Sequence, residues 1–275
     1  MSVAFALITT DPNLVQCELA RLGGQVCLDS ERANAVGLGT HVQEEVLLRR
    51  WARVSPLQVE TLASQPGAET LLFHAGQLAA DRSPEDDTQP FRMRGWLLAH
   101  QGVLEGGAEL RAALLAGLPD FLRRMVRGES DGELALALFL GRLRELGRME
   151  DPRLQALLAG RELAATAQGL AQASASSGAP RLSTLNLIAS NGRVLAATRL
   201  GALPLYFKRL EGTERCARCH LDARTPETHP LLEAHRRRGS LALATHLGPQ
   251  ATGWTELGQG QTLAVDAALH ISGPA

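Results

Sequence analysis

Lysine is almost missing from this 275-residue chain: of its 28 basic side chains, Lys208 alone is a lysine. Schiff-base chemistry therefore has one candidate, and Lys208 sits in an ordinary strand-like stretch. Net charge is lacking too. The 28 basic residues stand against 29 acidic ones, a formal charge of -1, which supplies no global field for holding nucleic acid or an anionic membrane. The one dense basic run, His235-Arg236-Arg237-Arg238, reads as a solvated helix end. No eighteen apolar residues run uninterrupted, and the first twenty residues lack the basic and apolar regions of a signal peptide. The expectation is a soluble, cytoplasmic protein. In a chain of this size and expected compartment, four cysteines suit buried thiols, a metal or a redox pair better than a disulfide framework. A phosphate-binding glycine loop and a paired-histidine metal motif are also missing.

What the chain has is apolar content, 45% of its residues, enough for a full core in one domain spanning residues 1–275. Val3 to Ile8 is apolar and suits a buried strand, and Asp11-Pro12 then reads as a cap and first turn of a helix that stops at Gly23-Gly24. Strand-like runs follow at Val46 to Val54, Thr70 to Phe73 and Gly95 to His100. Leucines recurring from Leu134 to Leu146 predict an amphipathic helix ended by Gly147, and a second helix is expected from about Pro152 to Ala173. Ala173 to Pro180 is small and polar and predicts a surface loop. Beyond it, Leu185 to Ser190 and Val194 to Arg199 flank Asn191-Gly192, a strong hairpin signal because both residues tolerate positive φ. Strands, then helices, then strands predict an α+β architecture.

Four short segments occur in a telling order: Phe73-His74-Ala75-Gly76, Asp87-Thr88-Gln89-Pro90-Phe91, Ala99-His100-Gln101-Gly102 and Gly128-Glu129-Ser130-Asp131-Gly132-Glu133. Together they resemble the H-V-R, N-T-H-P-F, H-N-G and T/S-D-S-E segments of class II glutamine amidotransferase domains. Asn34 to Gly39 is similar to that family's D-G-W-G-x-G turn, and Leu241 to Ala244, Trp254 and Gln261 to Val265 resemble its closing strands. The resemblance covers most of the chain. It implies a four-layer αββα sandwich, two mainly antiparallel sheets between helical layers, as in N-terminal nucleophile hydrolases.

The resemblance also implies a site. Its nucleophile is the residue after the initiator methionine, a cysteine in the family and Ser2 here. A serine hydroxyl needs a base beside it, and the free α-amine of residue two would serve if Met1 were removed. Gln101 stands where the family has an oxyanion-binding asparagine, and Gly102 matches the glycine whose N–H joins it. Gly76 replaces the arginine that clamps the substrate carboxylate. Asp131 matches the aspartate that meets the substrate amino group, and its own sequence context reads equally as a helix N-cap. His74 and His100 match family histidines and read either as substrate-contacting or as hydrogen-bonded structural residues.

Cys216-Ala217-Arg218-Cys219-His220 fits half of a zinc site, a redox pair or a c-type haem attachment sequence. Haem attachment requires export, and a redox pair wants a helix start after a strand, whereas this pair lies in a polar insertion between strands. Zinc needs four ligands; with Cys216, Cys219 and His220 as a start, His229, His235, Cys17 or Cys27 would complete the set. Cys17 and Cys27 also read as small packing groups. No cofactor is expected apart from zinc at this motif.

The changes at Ser2, Gly76 and Gln101 together point to a degenerate amidotransferase-like protein, without glutaminase activity, that binds a small amino-acid-like ligand or a protein partner. One alternative is a serine-type N-terminal amidohydrolase acting on another amide through Ser2; another is a zinc-stabilised scaffold. Neither nucleic acid nor membrane is an expected partner.

Overall fold

The computed structural model describes residues 2–28, 33–51, 62 and 67–273. Met1 and the end of the expected Val46–Val54 strand lie outside them. Strand β1 (Val3–Thr9) is buried at every position, as a continuous apolar run requires. Asp11 then accepts a hydrogen bond from the Asn13 N–H and, with Pro12 next, opens a 3-10 turn (Pro12–Leu14) that leads into α1 (Val15–Arg21). Strands β2 (Ala35–Val42) and β3 (Glu45–Trp51) pair with each other, and β4 (Thr70–Gly76) follows. A short α2 (Pro84–Asp87) precedes β5 (Phe91–Met93) and β6 (Trp96–Val103).

The helical centre of the chain holds α3 (Gly107–Ala116), α4 (Asp120–Arg123), α5 (Asp131–Glu145) and α6 (Ala156–Ser176). Gly147 stops the α5 region with φ 68. Helix α6 runs three residues beyond the expected end at Ala173, through the small residues to Ser176, because Ala and Ser prolong a helix at little cost where one face is already packed. Strands β7 (Thr184–Ser190) and β8 (Val194–Thr198) form the hairpin expected about Asn191-Gly192. Strand β9 (Tyr206–Leu210), helix α7 (Pro230–Arg237), and strands β10 (Ser240–Ala244), β11 (Thr255–Glu256), β12 (Thr262–Asp266) and β13 (Ile271–Ser272) complete the chain.

Two antiparallel sheets result. One has the order β11-β9-β10-β1-β4-β2-β3, the other β13-β12-β8-β7-β6-β5. Alternation along each strand assigns its two faces. From β1, Val3, Phe5 and Leu7 pack outward with Val15 and Leu19 of α1 and with Leu22 just after it, while Ala4, Ala6 and Ile8 face the second sheet. There they meet Leu97, Ala99, Ile188, Ala197 and Leu263. The far side of the second sheet packs against α5 and α6 through Leu98, Leu187, Phe139, Leu140, Leu163 and Ala167. The architecture is therefore the α+β sandwich of helix, sheet, sheet and helix that the resemblance implied.

The basic run at the end of α7 departs from expectation. Arg236 pairs at the surface with Glu214 and Glu227, but Arg238 is fully buried and ion-paired to the equally buried Glu18. Among the described residues no helix is long and apolar enough to cross a membrane. Because Leu72 fills the space between the sheets with no exposure, Leu72→Ala is expected to lower unfolding free energy by about 2–5 kcal/mol. Urea unfolding measures this, and a loss below about 1 kcal/mol would contradict the packing.

Candidate functional site

The sandwich brings the separated sequence segments to one end of the two sheets. A cavity of about 250 Å³ is lined there by Ser2 at the head of β1, His74 and Gly76 at the end of β4, His100 and Gly102 on β6, and Glu129, Ser130 and Asp131 at the start of α5. Asp87, Gln89 and Arg82, from the segment around α2, close another side. Ser2, Gly102, His74, His100 and Asp131 thus share one pocket. Gln101 does not line it.

Strand alternation explains that exception. His100 and Gln101 are neighbours on β6 and must point to opposite faces. Gln101 is buried, and its Nε2 donates to the Ser2 carbonyl oxygen at 3.1 Å while its Oε1 accepts from Asn186 Nδ2 at 3.0 Å. Asn186 in turn donates to the carbonyl oxygens of Leu203 and Pro204. This amide chain ties the head of β1 to the second sheet. Gln101 therefore anchors Ser2 by its backbone.

The two glycines of the site have different physical reasons. Gly102 adopts φ 132, and a Cβ there would come within 1.9 Å of the Thr184 carbonyl oxygen, so no other residue fits. At Gly76 a Cβ would lie 2.8 Å from His74 Cε1 and 3.5 Å from Ser2 Cβ. A larger side chain would need the His74 ring to turn away. His74 thus occupies room next to the clamp position.

Carboxylates on this side divide their work. Asp131 is the first residue of α5, not its cap: Ser130 is the N-cap, accepting from the Gly132 N–H. The Asp131 carboxylate instead accepts from the Leu104 N–H at 3.1 Å while facing the pocket. Glu133 accepts from the Arg127 and Gly128 N–H groups, and Asp87 from the Glu129 and Ser83 N–H groups. These two buried carboxylates shape the loop that presents Glu129 to Asp131. Burial raises Glu133, against the opposing pull of those N–H groups and Arg111. Arg82 Nη1 lies 2.6 Å from Glu129 Oε2 and supplies the cation among the lining side chains.

Both pocket histidines are held neutral. Burial, then repulsion from His100, lowers His74 to about 3, and neither of its ring nitrogens makes a hydrogen bond of normal geometry. Burial also lowers His100, against the pull of Asp131, and its Nε2 lies 3.3 Å from the Thr184 carbonyl oxygen. A histidine this hard to protonate is a poor general base. Activation of the Ser2 hydroxyl would fall to its own α-amine.

The cysteines form a second constellation. Donor atoms of Cys17, Cys216, Cys219 and His235 all lie within 4.8 Å of one another, and the Cys17 and Cys219 sulfurs are 3.4 Å apart. His220, expected to join the C-x-x-C pair, is exposed instead, and Cys27 is exposed as well. The pair sits between β9 and α7. Burial, then its sulfur neighbours, pushes the Cys17 thiol up to about 12. Burial also works to raise Cys216, but backbone N–H groups of Cys219 and Arg218 and the neighbouring thiols leave it lowered.

Sequence reading missed Arg82 as a site residue, and it left Cys17 and His235 among several alternatives for completing the zinc set that started from Cys216, Cys219 and His220. Arg82 belongs to no motif, and 202 positions separate Cys17 from Cys219. Only the third dimension joins them.

Comparison with solved structures places the architecture. The chain is similar to a glutamine aminotransferase class-II domain protein from Silicibacter pomeroyi, with TM-score 0.58 and 18% identity over 98% of this chain and 97% of that one. It is similar as well to a predicted glutamine amidotransferase from Pseudomonas aeruginosa PA01, with TM-score 0.59 and 16% identity over 99% of both chains. A third likeness, to glutamine phosphoribosylpyrophosphate amidotransferase from B. subtilis, has TM-score 0.54 and 12% identity; it covers 98% of this chain but 48% of that one. The fold is that of class II glutamine amidotransferase domains. No protein-family model matches the chain, and no curated protein matches it by sequence.

The buried His74 generates a pH dependence. Unfolded, it takes up a proton near 6.5; folded, it resists until about 3. Unfolding thus binds a proton in between, and stability contributed by the neutral ring falls as pH drops from about 6.5 toward 3, by up to about 1.4 kcal/mol per pH unit. Urea unfolding of His74→Gln is expected to show a shallower loss over that window than the wild type. Equal slopes would mean that His74 is solvated.

Proposed function

We propose that the chain is a degenerate class II glutamine amidotransferase-like domain that binds a small amino-acid-like ligand, or the end of a partner's peptide, and does not hydrolyse glutamine. One observation carries the reading: Gln101, at the position the resemblance gives to the oxyanion asparagine, engages the Ser2 carbonyl and Asn186 and lies outside the pocket lining. Removing one oxyanion donor raises such a barrier by about 3–4 kcal/mol. Gly76 at the clamp position supports the same reading, and the two neutral histidines add no base to the Ser2 α-amine.

What survives suits binding. The pocket, about 250 Å³, is smaller than the 300–1,000 Å³ usual for drug-sized ligands. Asp131 offers a carboxylate to an ammonium group, and Arg82 offers a guanidinium to a carboxylate. Together they recognise both ends of an amino acid from directions other than residue 76. The thiols of Cys17, Cys216 and Cys219 suit a cytoplasmic setting. Zinc belongs to the proposal at the separate Cys3His cluster, as support for the fold and not as a reagent.

A second reading, a serine-type amidohydrolase acting on another amide, draws on Ser2 lining the pocket beside Gly102. It requires a free Ser2 amine, so a mass spectrum showing Met1 retained would remove it.

The binding proposal is tested with a panel of free amino acids and dipeptides in thermal unfolding. A ligand at 100 times its Kd should add about 2.7 kcal/mol to stability, and Asp131→Asn should weaken that ligand about 10- to 100-fold. A panel without any stabilising member, or one whose effect ignores Asp131, would contradict it.

A further inference from the structure

The geometry of the Cys3His cluster specifies which atoms would hold a metal and what the metal would do, an assignment that rests on the zinc reading. In a tetrahedral centre with Zn–S bonds of about 2.3 Å, thiolates stand ~3.8 Å apart. The four donor atoms lie within 4.8 Å of one another and two of the sulfurs 3.4 Å apart, so small side-chain adjustments would close the geometry.

The imidazole is already set for it. His235 Nδ1 lies 2.8 Å from the Leu231 carbonyl oxygen one turn back on α7, which fixes the proton on Nδ1 and leaves the Nε2 lone pair free. Nε2 is buried without a hydrogen-bond partner. A carbonyl behind one nitrogen and an unpartnered second nitrogen among sulfurs is the arrangement of a metal-ligating histidine.

Two further buried donors call for an anion in the same place. Arg238 is ion-paired to Glu18, yet its Nη1 and Nη2 find no acceptor, and its charge is felt at Cys219. Buried guanidinium N–H groups without partners are costly. Three thiolates around a dication carry the negative charge that would satisfy them. Backbone N–H groups of Arg218 and Cys219 already point at the Cys216 sulfur.

We propose that Cys17 Sγ, Cys216 Sγ, Cys219 Sγ and His235 Nε2 bind one zinc ion in a closed structural site. Four protein ligands leave no position for substrate or water, and a soft, sulfur-rich tetrahedral set selects zinc. The ion staples the segment between β9 and α7 to α1. That segment needs it, since its share of the local apolar cluster is Cys216 and Leu221, with Cys219 at the margin. Through α1 the ion also braces the outer face of β1.

The experiment measures zinc per chain by native mass spectrometry after expression in zinc-supplemented medium, for wild type, Cys17→Ser, His235→Ala and His220→Ala. One zinc per chain in wild type and His220→Ala, with at least a tenfold weaker hold in Cys17→Ser and His235→Ala, is the expected result. Zinc lost in His220→Ala but kept in the other two variants would overturn this ligand set and leave the zinc reading standing. A wild-type chain without zinc would overturn both. Should Cys17→Ser and His235→Ala fail to fold, the cobalt-substituted wild type decides: a tetrahedral spectrum with charge-transfer intensity from three thiolates supports the assignment. A two-thiolate or octahedral spectrum overturns it.

Discussion

Everything in this molecule hangs on β1 being buried on both faces. Val3, Phe5 and Leu7 face α1, and Ala4, Ala6 and Ile8 face the second sheet, while β4 and β10 take both of its edges. A strand so enclosed has one register, since a slip of one residue would exchange Phe5 and Leu7 with Ala4 and Ala6. Fixing β1 fixes Ser2 at its head. It also fixes α1 at its tail, and with it Cys17.

The pocket and the Cys3His cluster are thus two ends of one constraint. At the head, small residues between the sheets allow the close approach that lets Gln101 on one sheet hold the Ser2 carbonyl on the other. Burial, between the sheets for His74 and toward the start of α5 for His100, lowers both histidines and makes them poor bases. A well-positioned residue two, flanked by neutral imidazoles and a glutamine turned to structure, is what supports the proposal of a cavity that recognises a ligand and does not hydrolyse glutamine.

How far the sequence reveals this depends on the range of the interaction. The Asn191-Gly192 hairpin, the Asp11 cap and the Gly147 stop are local, each set by the backbone freedom or side-chain reach of one or two residues. The order of the motif segments was legible for the same reason. Asp131 was half-legible: the helix start was plain, but the cap falls on Ser130 and frees Asp131 for the pocket. The side to which Gln101 points follows from strand alternation only once Ala99 is known to face the other sheet. Arg238 reads as surface because three basic residues adjoin it, and its partner Glu18 lies far away in sequence. Cys17 and His235 were considered as ligands, yet nothing local ranks them above His220.

The central claim is that this amidotransferase fold holds a pocket without glutamine hydrolysis. It is tested most directly by measuring glutamate release from glutamine with protein whose N-terminal residue has been established as Ser2 by mass spectrometry, alongside Ser2→Ala. The account predicts the same background rate for both. Glutamate released in amounts exceeding the enzyme, and lost in Ser2→Ala, would contradict it.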